Sequence, residues 1–178
     1  MNISKQLLSD HLQSKELAVR VADFACASEA NFKELMDCFV SADYVLAQRA
    51  AWSVRWAAAK RPDLILPNIG MLVSQLQRTD VHDAVIRNSL GVLEALSIPE
   101  EFHGEIMHIC FGFIQNRNVP IAARAFSLSI LFNLSKVYPE IENELRIIIE
   151  ENMELETAAY KSRGKKILKA LRKKAMSF

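Results

Sequence analysis

The chain is poor in the residues that turn a β-strand back on itself, with 5 glycines and 5 prolines in 178 residues. A sandwich or barrel with a turn signal every 8 to 12 residues or so would need more of both. An all-α chain is therefore expected. Cysteine is also scarce: Cys26, Cys38 and Cys110 are odd in number, contain no CxxC pair, and sit near Phe24, Phe39 and Phe111. That pattern excludes a disulfide framework or a thiolate metal site and reads as reduced thiols in a core. Long apolar runs are absent too. The longest, Ile106 to Ile114, contains His108 and falls well short of the roughly 20 residues of a membrane span. No hydrophobic segment follows the polar start Met1-Asn2-Ile3-Ser4-Lys5-Gln6, so a cytoplasmic protein is expected.

Catalytic signatures are missing as well. There is no HExxH, no GxSxG and no glycine-rich phosphate loop, each of which places a nucleophile, metal or phosphate at a defined backbone feature. His103 and His108 lie about 140° apart around a helix, too far to share a metal on one face. His11 and His82 read as surface positions. No catalytic or metal-binding residue and no cofactor is expected.

A net charge of +1 gives no global case for a polyanionic partner, but it hides a division. From Ala159 onward the chain carries eight Lys or Arg and no acid, whereas the preceding 158 residues carry 14 basic and 21 acidic residues. Nucleic acid is thus kept as a possible partner only through the basic C-terminal helix. That helix follows a segment crowded with Glu140, Glu142, Glu144, Glu150, Glu151, Glu154 and Glu156, and neighbouring helices of opposite charge satisfy one another in solvent.

What the sequence does have is a period. Arg20, Arg49, Arg87, Arg124 and Arg163 each open a short apolar run and are separated by 29, 38, 37 and 39 residues. A period in this range marks stacked helix pairs. Asp43, Asp80, Asn118 and Glu156 precede four of these arginines by six or seven residues, where a helix cap is expected. Downstream, Pro62-Asp63, Pro99-Glu100 and Pro139-Glu140 combine a first-turn proline with an acid suited to the positive end of the helix dipole.

About ten helices follow, near residues 3–12, 15–27, 30–41, 43–60, 63–78, 81–97, 100–116, 119–137, 139–155 and 157–174. Pro67 predicts a loose first turn in the fifth, regular only from about Asn68. The helix carrying Arg124 is apolar nearly all round and must be sandwiched. In the last, Ile167, Leu168 and Leu171 face one side while Lys165, Lys166, Lys169, Arg172 and Lys173 occupy the rest, as in a repeat that seals a stack.

A helix pair of this length, with a polar turn residue ahead of an arginine in its second helix, resembles the HEAT repeat of the armadillo-like superfamily. Asp43 with Arg49 fits the pattern, Asn118 with Arg124 keeps the spacing with an amide for the acid, and Asp80 with Arg87 is one residue longer. The resemblance implies a single domain over 1–178, an α-solenoid of about five repeats near 1–28, 29–60, 61–97, 98–137 and 138–178. It further implies a right-handed superhelix with the arginine-bearing helices on its concave side, a non-enzymatic scaffold, and a protein partner in the groove.

The resemblance makes Arg20, Arg49, Arg87, Arg124 and Arg163, with Asp43, Asp80 and Asn118, a structural ladder at the joints between repeats. The strongest local binding candidate is the face bearing Arg49, Trp52, Arg55 and Trp56, because Trp and Arg dominate interface hot spots; the competing reading places this face between repeats. A second function also follows from the architecture. Helical-repeat glycosylases of the DNA-alkylation-repair type hold a damaged base with Trp, Arg and a carboxylate, a role in which Trp52, Trp56 and Asp43 could serve, although the acidic body of the chain opposes steady DNA binding.

Overall fold

A computed structural model describes residues 1–9 and 13–175, the last two by backbone only. His11 and the expected end of the first helix at residue 12 lie outside the described residues. Among those described there is no strand. The helices are α1 (Ile3–Leu8), α2 (Lys15–Ala25), α3 (Glu29–Phe39), α4 (Tyr44–Lys60), α5 (Pro62–Ile65), α6 (Ile69–Leu76), α7 (Asp83–Ala95), α8 (His103–Gln115), α9 (Ile121–Leu134), α10 (Glu142–Asn152) and α11 (Ala158–Ala175). Proline 67 explains why α5 and α6 are separate: a 3₁₀ turn, Leu66–Asn68, occupies the step between them. Counted together they form one broken helix, and the described residues make ten helices in five pairs.

The pairs belong to two compact units, Met1–Phe102 and His103–Phe178. In the first, α4 packs against α2 on one side and α7 on the other, while α3 and α6 back the layer formed by α2, α4 and α7. Close approach is possible because α4 turns Ala47, Ala50, Ala51, Val54, Ala57 and Ala58 inward, all buried. Small side chains reduce the distance between helix axes and let backbone pack on backbone. At its C-terminal end α4 is tied to α2 by a Lys60–Asp23 ion pair and by Arg61, which donates to the Cys26 carbonyl at 3.0 Å.

In the second unit α9 contacts α8, α10 and α11. This enclosure accounts for its lack of an outward polar face: Ala123, Leu128, Ile130, Leu131 and Leu134 are buried, and Ser127 returns its hydroxyl to the Ala123 carbonyl at 2.9 Å. A buried hydroxyl satisfied by its own helix avoids the desolvation penalty. Helix α11 buries Tyr160, Ile167, Leu168 and Leu171. It crosses α10 closely at Gly164, where a β-carbon would stand 2.9 Å from Ile149 Cγ2.

The caps differ from expectation at three of four places. Asp43 caps α4, accepting from the N–H groups of Val45 at 2.9 Å and Leu46 at 3.0 Å. Asp80 does not cap α7; it faces Arg78 with bonds of 2.8 and 2.7 Å, and His82 Nδ1 takes the cap by accepting from the Ala84 N–H at 2.9 Å. Asn118 lies in the turn before α9, where its own N–H is held by Asn116 Oδ1 at 2.9 Å, and Pro120 stands at the cap position with no side-chain bond. An extended proline there delays the helix to Ile121. Glu156 turns inward instead, onto Arg124.

Candidate functional site

Within the first unit, α4 and α7 leave a pocket of about 610 Å³. Trp52, Arg55 and Trp56 line it from α4, and Gly91, Glu94 and Leu96 from α7 and the turn that follows. Helical spacing explains the first set, because positions 52, 55 and 56 fall on one side of α4 while Ala47, Ala50, Ala51 and Ala57 turn to the core. On the other wall Gly91 and Glu94 are likewise three apart.

The two tryptophans are half-buried. Trp56 is held on one face by Lys15, whose Nζ lies 5.2 Å from the ring centroid, a cation–π arrangement. Its Nε1–H is shut off from solvent and has no hydrogen-bond partner among the described residues. A buried, unpaired indole N–H costs about 1–3 kcal/mol. Arg55 lies across α7: a β-carbon on Gly91 would stand 2.8 Å from its Cζ and 3.0 Å from its Nε. The missing side chain at 91 lets a planar guanidinium rest on helix backbone beside the pocket.

Arg49 is not part of this lining. Its Nη1 donates to the Leu7 carbonyl at 2.6 Å, and its own carbonyl accepts from Gln13 Nε2 at 2.6 Å. The structure therefore brings together three of the four residues singled out on this face and sends the fourth to the end of α1. Asp43 is also apart from the tryptophans. Its carboxylate is spent on the α4 cap, nine residues and about 13 Å of helix from Trp52, and the carboxylate that lines the pocket is Glu94.

A family model of the HEAT repeat domain matches residues 4–171. The chain belongs to the HEAT repeat family. No curated protein and no solved structure matches it.

As HEAT helices, α2, α4, α7, α9 and α11 carry the five periodic arginines, and each arginine has its own setting. Arg20 donates to Gln6 Oε1 at 3.2 Å on the surface. Arg49 reaches the carbonyl end of α1, and Arg87 is exposed. Arg163 donates to the Ala125 carbonyl at 3.1 Å and Ser129 Oγ at 2.9 Å, lying over Phe126. Arg124 is buried: its Nε donates to the Val119 carbonyl at 3.1 Å, its Nη2 to Glu156 Oε2 at 2.9 Å and its Nη1 to Glu156 Oε1. Three of the five are thus bound to backbone carbonyls of a neighbouring turn or helix, a use that suits a fork of five donors.

Sequence reasoning missed Glu94 and Gly91. A glycine inside the apolar pattern Leu90-Gly91-Val92-Leu93 is the signal that was available, since glycine at mid-helix costs about 1 kcal/mol against alanine and needs a reason. Among the described residues no group of three His, Cys, Asp or Glu could hold a metal ion, and no helix is long and apolar enough to cross a membrane.

Proposed function

We propose that this HEAT repeat chain is a non-enzymatic scaffold that takes a protein partner at the Trp52–Trp56 pocket, on the concave side that the family architecture implies. The observation carrying this reading is the pairing of two half-buried indoles with a guanidinium around about 610 Å³ of open volume. Indoles supply large apolar area with little rotamer entropy to lose, and arginine adds directional donors beside them. A pocket of this size admits one or two bulky side chains of a partner. Glu94 and Arg55 give the wall charges of both signs, suited to orienting a polypeptide.

Ala95 provides the test, because it lines the pocket and is exposed. Ala95→Arg is expected to leave the helical circular dichroism and the melting temperature as in the native chain while fragments captured by native bait disappear from the variant bait. Identical capture by the two baits would remove this pocket from the function. Asp43 stands apart from the indoles and is spent on the α4 cap, so it supplies no carboxylate to a base held between them.

A further inference from the structure

Helices α1 to α4 are capped by side-chain oxygens, those of Asn2, Ser14, Ser28 and Asp43, which accept hydrogen bonds across the whole range near neutral pH. Helix α7 uses an imidazole instead. His82 stands in extended backbone, φ −67° and ψ 142°, and its Nδ1 accepts from the Ala84 N–H at 2.9 Å while its carbonyl accepts from the Val85 N–H at 2.8 Å. A neutral imidazole has a single acceptor nitrogen, so this bond puts the ring proton on Nε2. Tyr44 of α4 packs on the ring, with centroids 5.2 Å apart and planes tilted by 57°, which joins the start of α7 to the start of α4.

We propose that His82 is an acid-sensitive latch on the α4–α7 joint: a proton taken from solvent onto Nδ1 ends the cap and frees the first turn of α7. Two effects act in the same direction. The protonated ring has no acceptor left, so an Nδ1–H faces the Ala84 N–H and the bond is lost. Its positive charge also sits at the positive end of the helix dipole. The charged groups around the ring do not reverse this. Asp80, in the turn from α6, is held by Arg78 at 2.7 Å, and Asp43 of α4 accepts from its own helix. On α7 itself Asp83 and Arg87 are of opposite sign and both exposed, where salt screens them, and the phenol of Tyr44 brings no charge. The latch is closed above the range in which imidazoles titrate, around pH 6.5, and opens as the pH falls through it. Opening uncovers Ala84 and Val85, which are buried in the closed joint.

The test is amide hydrogen exchange, resolved by residue in spectra of the full chain at about pH 7.5 and about pH 5.5, either side of the imidazole range, and corrected for the intrinsic rate at each pH. Loss of one cap predicts protection of the Ala84 and Val85 amides roughly fivefold lower at the acid pH. His82→Asn, whose amide oxygen caps a helix without titrating, should hold that protection constant across the two conditions. A second imidazole serves as reference, since His103 Nδ1 lies 3.1 Å from Tyr138 Oη in the other unit. Equal protection of Ala84 and Val85 at both pH values in the native chain, the same fall in His82→Asn, or a fall of equal size throughout both units would each overturn the proposal.

Discussion

Arg55 and Gly91 form a matched pair across the α4–α7 joint: the guanidinium carbon lies where only a residue without a β-carbon lets it lie, 2.8 Å from the position that carbon would take. Both residues line the pocket. The contact links a local weakness in α7 to the placement of a charged group in the candidate site.

Gly91→Ala separates helix stability from site geometry. Alanine gains up to about 1 kcal/mol of helix propensity, and the atom it meets is the far end of a flexible side chain, which can swing away. We expect a melting temperature equal to the native one or a few degrees higher, with partner capture reduced because Arg55 has left its place. A drop of more than a few degrees would mean that Arg55 is locked against α7 by more than this contact.

The Arg124–Glu156 pair should behave quite differently, because its side chains are 5% and 3% exposed. Removing one member strands the other charge, so Glu156→Ala is expected to lower the unfolding free energy by about 3–5 kcal/mol in a urea titration. Replacing both, as in Arg124→Met with Glu156→Leu, should restore most of the loss. Equal destabilisation by the single and double variants would show that the Arg124 bond to the Val119 carbonyl, 3.1 Å, holds the turn before α9 instead.

Alkaline pH should loosen the core. Burial pushes the Cys38 thiol up to about 11, the Cys110 thiol up to about 12 and the Tyr160 hydroxyl up to about 12, all above their values in the unfolded chain. The unfolded chain releases these protons first, so their contribution to stability is full below about pH 9 and is lost progressively as pH rises through 11 to 12. Urea midpoints measured from pH 8 to 11 should fall with that onset. Thiol titration at pH 8 should find Cys26, which is only half-buried, ahead of the other two; rapid reaction of all three in the native chain would contradict the burial.

The period of the arginines and the apolar spacing between them were enough to read helix pairs, since both are properties of the chain in register with itself. Pro67 showed where the fifth helix breaks. Capping was less legible. Whether Asp80 accepts from a helix terminus or meets Arg78, and whether Glu156 faces water or Arg124, depends on partners two residues away in one case and 32 in the other. The site was half legible for the same reason: Trp52, Arg55 and Trp56 share one helix and one face, whereas Glu94 and Gly91 join them only through the packing of α7 on α4.

Local pattern by itself determined that this protein is a stack of helix pairs of the HEAT type, because helix period, first-turn prolines and apolar faces act over a few residues. Tertiary structure decided which acceptor each arginine meets. Arg49 and Arg124 occupy equivalent places in the repeat, yet one meets the carbonyl end of α1 and the other a buried carboxylate. A long cationic side chain takes the nearest acceptor that packing presents, and which acceptor comes near is set by helices far away in the chain.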